Sequence, residues 1–129
     1  MVEVYIDGAS AGDPGLSGVG IFIKNNGEVN SFSIPIGIKD NHEAEFLALI
    51  SSLEICLEKK FTTISVRSDS TAVVNAVEKA YVRNVKYRPL LNKALDLASR
   101  LDLFFIKWIP SKENKQADQL ARKAIHQNE

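Results

Sequence analysis

Hydrophobic and polar residues alternate from the start of this chain, with Val2, Val4 and Ile6 interleaved with Glu3, Tyr5 and Asp7. A period of two predicts a strand with two unlike faces. The glycine-studded run Gly8-Ala9-Ser10-Ala11-Gly12-Asp13-Pro14-Gly15 then predicts a loop. Val19 to Lys24 reads as a second strand and Val29 to Ile36 as a third. Asn25-Asn26-Gly27 forms the hairpin turn between them, because Asn and Gly tolerate positive φ. From His42 to Lys59 the period changes, and Phe46, Leu49, Ile50, Leu53, Cys56 and Leu57 make one helical stripe. Thr63 to Ser68 is a short β-branched strand ending at Asp69, followed by a helix from Ser70 to Tyr81 with Val73, Val74, Ala76 and Val77 inward. Pro89 suits the first turn of a third helix carrying Leu91, Leu95, Ala98 and Leu101. Leu103 to Ile109 is a last strand, in which at least two of Phe104, Phe105 and Trp108 are expected to pack into the core rather than serve as a base-stacking platform. Ser111 or Asn114 is placed to cap a final helix carrying Ala117, Leu120, Ala121 and Ala124. The order β-β-β-α-β-α-α-β-α predicts an α/β domain, a five-stranded mixed sheet flanked by helices.

No repeat, low-complexity tract or linker interrupts this pattern, so residues 1–129 are read as one domain. Sixteen basic residues balance sixteen acidic ones, so any contact with nucleic acid must rely on local patches. The lone Cys56 can form neither an internal disulfide nor a Cys-rich zinc site, which fits a reducing compartment. The apolar runs are too short to span a bilayer. A cytoplasmic monomer with no membrane attachment and no obligate protein partner is the expectation.

Four acids stand where strands end or helices begin: Asp7, Glu45, Asp69 and Asp118. Magnesium takes oxygen ligands and keeps several waters, so a few carboxylates and substrate phosphate oxygens suffice to hold it. Spacing alone does not select four acids from sixteen. Asp7 before Gly8 is also a turn acid, Asp69 before Ser70 is also a helix cap, and Asp118 could pair with Arg122. Glu43 and Glu45 flank the apolar stripe on opposite sides, and periodicity does not choose between them.

The motifs carry more. Asp7-Gly8-Ala9-Ser10 with Gly12-Asp13-Pro14-Gly15 resembles the first-strand motif of the type 1 ribonuclease H family. Asn41-His42-Glu43-Ala44-Glu45-Phe46-Leu47-Ala48 resembles the second, Val66-Arg67-Ser68-Asp69-Ser70 the third, and Glu113-Asn114-Lys115-Gln116-Ala117-Asp118-Gln119-Leu120-Ala121 the fourth. The four occur in the family's order across nearly the whole chain. The resemblance implies a metal-dependent endoribonuclease that cuts the RNA strand of RNA–DNA hybrids, leaving a 5′ phosphate and a 3′ hydroxyl. It implies two Mg2+ ions, which Mn2+ can replace. Asp7 would bridge them, Asp118 would complete one site, and Glu45 rather than Glu43 would join Asp69 at the other. It further implies substrate contacts from Gly8, Ala9, Ser10, Gly12, Asp13, Asn41, Ser70 and Thr71, with backbone near Gly8 to Gly15 sensing the RNA 2′-hydroxyl.

Three departures from the family pattern temper this. Asp13 replaces the usual Asn and would set a negative charge against the substrate backbone. Trp108 stands where many members carry a histidine ten residues before the last acid, and His42 reads as structural. A basic protrusion found in some members is reduced to Lys79, Arg83, Lys86 and Arg88. The alternative is therefore a weakly active or inactive ribonuclease H-like module that binds nucleic acid or regulates. A related nuclease acting on DNA is a third reading, which the short chain disfavours.

Overall fold

The computed structural model describes residues 1–128. Five strands, β1 (Val2–Ser10), β2 (Gly15–Asn25), β3 (Glu28–Lys39), β4 (Thr63–Ser68) and β5 (Leu103–Trp108), form one mixed sheet in the order β3-β2-β1-β4-β5. β1, β2 and β3 make an antiparallel meander, and β1, β4 and β5 run parallel. The helices are α1 (Asn41–Glu58), α2 (Thr71–Lys79), α3 (Arg88–Ala98) and α4 (Lys115–His126). Architecture and element order match the sequence reading. The first three strands are longer than read, because Ala9 and Ser10 continue β1 opposite Gly18 and Ser17.

The two faces of the sheet are built differently. On one, Val4, Ile6, Val19, Ile21, Ile23, Ile64 and Val66 are fully buried beneath Phe46, Leu49, Leu53 and Cys56 of α1. α2 and α3 pack beside α1, with Val73, Leu91 and Ala94 facing inward. On the other face α4 crosses β1, β2 and β3, presenting Ala117, Ala121 and Ala124. Small residues meet there, so the helix backbone lies almost directly on the strands. Ser33 Oγ donates to the Leu120 carbonyl at 2.6 Å, and Asn128 Nδ2 to that of Ser17 at 2.8 Å, fixing the helix along its length. Asn114 holds the N-cap position of α4 without capping it, because its side chain donates instead to the Ile6 carbonyl at 2.8 Å.

The start of α1 is tied down with unusual care. Asp40 Oδ1 accepts from the Glu43 amide at 2.7 Å while Glu43 Oε1 accepts from the Asp40 amide at 2.9 Å, a capping box. Asp40 Oδ2 also receives Lys86 Nζ at 2.6 Å and the Tyr87 hydroxyl at 3.0 Å, which anchors the 3-10 turn Val85–Tyr87 onto α1. Partial burial works against the Asp40 charge, but Lys86, the Glu43 amide and Tyr87 outweigh it and hold the carboxyl down at about 2, below its ordinary 3.8. A depressed folded-state value means the stabilisation exists above pH ~4 and is lost as pH falls toward 2. Asp40→Ala is expected to cost about 1–2 kcal/mol at pH 7 and almost nothing at pH 2, read by denaturant melts at both.

Candidate active site

The last paired row of the parallel strands is Ile6 with Ser68, so Asp7 and Asp69 stand level, one residue beyond it. On its other side Asp7 pairs with Gly20 of β2. A side chain at Gly20 would run into the Ala117 carbonyl and the Ala121 amide; its absence lets α4 settle onto the strand. That docking brings the Asp118 carboxyl up to Asp7, whose ionisation it opposes. A second close approach adds the fourth acid. A Cβ at Gly8 would strike the Ala44 carbonyl and the Glu45 amide, so the first turn of α1 presses directly on β1.

The four carboxyls act on one another. Burial above all, then the charges of Asp69, Asp118 and Glu45, push the Asp7 carboxyl up to about 8 from its ordinary 3.8. Around them, Trp108 Nε1 donates to the Asp69 carbonyl at 3.1 Å and fixes the β4–α2 turn. His42 Nδ1 lies 3.1 Å from Glu45 Oε1, and Arg122 Nε donates to both Asp118 oxygens at 3.1 and 3.0 Å. Among the described residues no three His, Cys, Asp or Glu side chains are closed into cation-ligating geometry. Glu45 and Asp118 are each turned to a neighbouring base. The donor set nevertheless suits a hard divalent cation: all-oxygen, anionic, partly buried and mutually repulsive.

Glu45 and Glu43, which periodicity left open, separate here. Glu45 faces Asp7, and Glu43 is committed to Asp40. Ser70 caps α2 by accepting from the Val73 amide at 3.2 Å, so its hydroxyl is engaged, while Thr71 is exposed. Gly8, Ala9 and Ser10 belong to β1 rather than to a loop, and Ser10 Oγ is bonded to Ser17 Oγ at 2.7 Å. Gly12 packs tightly against Pro14 and Gly15 in the turn beyond. Asn41 is exposed at the first turn of α1, and its amide donates to Asp13 Oδ1 at 3.0 Å. Asp13 thus faces the N-terminus of α1, where a negative charge is favoured.

Two further expectations are overturned. His42 is exposed beside Glu45 and edge-on to Tyr87, not structural within the apolar stripe. Of the last-strand aromatics only Phe104 packs against the core; Phe105 and Trp108 are 50% and 49% exposed, because α4 stops short of β5 and Trp108 ends its strand. The basic cluster also shrinks. Lys86 is held by Asp40, and Arg88 donates to the Val82 and Arg83 carbonyls at 3.1 Å each. Sequence reasoning missed Gly18 and Gly20, although glycines two apart on one strand face are a legible sign of close backbone approach.

The reverse transcriptase-like family matches residues 5–124, and a crystal structure of RNase H1 from Halobacterium salinarum superposes with a TM-score of 0.92 at 32% identity, covering 98% of both chains. The chain belongs to the type 1 ribonuclease H family. A candidate hydrolase of Enterococcus faecalis, EbsB, is 41% identical over 127 residues, covering 97% of this chain and 94% of its own. LC11-RNase H1, solved in complex with an RNA/DNA hybrid, matches with a TM-score of 0.90 at 28% identity over 99% of both chains. The two RNase H1 structures match this chain over nearly its whole length.

Proposed function

We propose that this chain is a ribonuclease H, a divalent-cation-dependent endoribonuclease that hydrolyses the RNA strand of RNA–DNA hybrids. One observation carries the reading. The charges of Asp69, Glu45 and Asp118, from the end of β4 and from helices α1 and α4, all bear on Asp7 of β1, and this supports the reading in a chain of this family. Asp7, the most central, would hold two Mg2+ ions together with Asp118, Glu45 and Asp69. When bound, the two ions would activate the attacking water and neutralise charge at the scissile phosphate.

The chain's own residues do the rest. Burial, together with the charges of Asp69, Asp118 and Glu45, raises the Asp7 carboxyl to about 8 and favours its protonated form near neutral pH. Trp108 steadies Asp69 through its backbone. Exposed Asn41 and Thr71 stand at the first turns of α1 and α2, where their side chains would meet the substrate backbone. Lys86 and Arg88 are engaged internally, so of that basic cluster exposed Lys79 and Arg83 remain to meet phosphates. A binding module that does not cut is the second reading.

The test incubates the protein with labelled RNA–DNA hybrid, double-stranded RNA and double-stranded DNA in Mg2+, Mn2+ or chelator. Cation-dependent cutting of RNA in the hybrid alone is expected, falling by about tenfold or more between 50 and 200 mM salt. Binding without cutting would support the module instead, and cutting of the double-stranded DNA would reassign the substrate.

A further inference from the structure

The face of the sheet that holds Asp7 and Asp69 does not stop at the acids. Side chains two apart on a strand share a face, about 7 Å along the chain. Below Asp7 on β1 comes Tyr5, and below Asp69 on β4 comes Arg67; the two are cross-strand neighbours, flanked by Phe22 on β2 and Lys107 on β5. The next row is Lys24, Glu3, Ser65 and Phe105. α4 lies over β1, β2 and β3, and among the described residues no helix packs closely on this side of β4 and β5. Phe105 and Leu103 are each 50% exposed there.

The chemistry of these rows is specific. The Arg67 guanidinium lies 5.4 Å from the centre of the Tyr5 ring, and its Nη1 donates to Glu3 at 2.8 Å and to the Tyr5 hydroxyl at 3.1 Å. Glu3 is thereby paired, while Lys24, its Nζ 5.8 Å from the centre of the Tyr5 ring, and Lys107 bring cations to either end of the aromatic row. Tyr5 and Phe22 pack at 6.2 Å, and beside them opens a cleft of about 210 Å³ lined also by Lys24, Asn114 and Gln116, with Glu113 on its wall. Asn114 is 1% exposed, and its Oδ1 has no hydrogen-bond partner.

We propose that the open face formed by Tyr5, Arg67, Phe105, Lys107 and Lys24 binds single-stranded nucleic acid continuing from the carboxylate site. Its role in catalysis rests on the hydrolase reading; its binding does not. Aromatic rings on a flat sheet with interleaved cations accept unpaired bases by stacking and the backbone by charge, without reading sequence. A duplex keeps its bases stacked inside and gains nothing from Phe105. A protein partner would find only two half-exposed apolar side chains flanked by lysines, far less than a stable interface requires.

The experiment measures anisotropy of labelled oligo-dT and oligo-rU of about 15 nucleotides in chelator, beside a blunt hybrid of equal length. Both single strands are expected to bind the wild type. Phe105→Ser with Lys107→Glu should weaken that binding by about tenfold or more while leaving the melting temperature and cleavage of the blunt hybrid within about twofold of wild type. Should the double variant melt early, the exposed Lys24→Glu and Lys107→Glu carry the test, each with about a threefold loss expected. Equal affinity of wild type and variants, no binding by the wild type, or concentration-dependent self-association abolished by the double variant would overturn the proposal. Because the chelated assay is blind to cleavage, failure here and failure of the hydrolase reading are separately visible.

Discussion

Asp7→Asn is expected to abolish hybrid cleavage, by roughly a thousandfold or more, and at the same time to make the protein harder to melt. The two effects share a cause. Asp7 is the carboxyl on which burial and the charges of Asp69, Asp118 and Glu45 all converge. An amide of the same shape removes the central anionic oxygen that a bound cation would need. It also removes the charge whose confinement the fold must sustain. The sign follows from linkage. A carboxyl raised to about 8 when folded, against 3.8 unfolded, imposes no penalty below pH ~4; the penalty grows as pH rises and is complete above ~8. The variant should therefore match wild type near pH 4 and exceed it by about 2–4 kcal/mol at pH 9, allowing for solvent screening. Added Mg2+ should raise the melting temperature of the wild type more than that of the variant. Melts at pH 4 and pH 9, each with and without Mg2+, decide it. An Asp7 that merely supported the turn would lose stability at both pH values when replaced, and that outcome would sink the assignment.

The acids themselves were legible, but only through the order of four motifs, because many isolated acids in this chain look alike. The strands and α1 were legible from periodicity, since one-sided burial imposes it. What escaped were features that pair residues far apart in the chain. Ala9 and Ser10 look like loop because small residues favour strands weakly, and only pairing with Gly18 and Ser17 makes them β1. Phe105 looks like core because its neighbours on β5 are apolar; that no helix among the described residues packs closely on its side of β4 and β5 is a property of where α4 ends. That Asp13 lies against the start of α1 and accepts from the Asn41 amide is likewise a property of the fold alone. Gly20 carries no side-chain chemistry, and only its spacing from Gly18 hinted at the close approach of α4 that sets where Asp118 stands.

Gly20→Ala is accordingly expected to be the most damaging single-methyl change in the molecule. The added Cβ would point into the Ala117 carbonyl and the Ala121 amide of α4, with the Leu120 Cβ at 2.9 Å. Backbone cannot rotate aside as a side chain can, so either α4 lifts or β2 buckles. Lifting α4 also disturbs the neighbouring Gly18 contact, the Ser33 bond to Leu120 and the Asn128 bond to Ser17, all of which depend on the same close approach. Overpacking of a core typically costs 1–3 kcal/mol, and a backbone collision with no flexible neighbour belongs at or above the top of that range, about 3 kcal/mol or more. Gly27→Ala provides the contrast. Nothing lies within 4 Å of its added Cβ, and its φ of +83° means that any loss comes from turn strain alone, about 1 kcal/mol. Denaturant melts of the two variants should therefore separate by about 2 kcal/mol or more. In hybrid cleavage Gly20→Ala should lose activity even where it remains folded, because Asp118 moves with α4 away from Asp7. Gly27→Ala, in the distant hairpin, should not. If a folded Gly20→Ala protein cut hybrids at the wild-type rate, Asp118 could not be a member of the catalytic set.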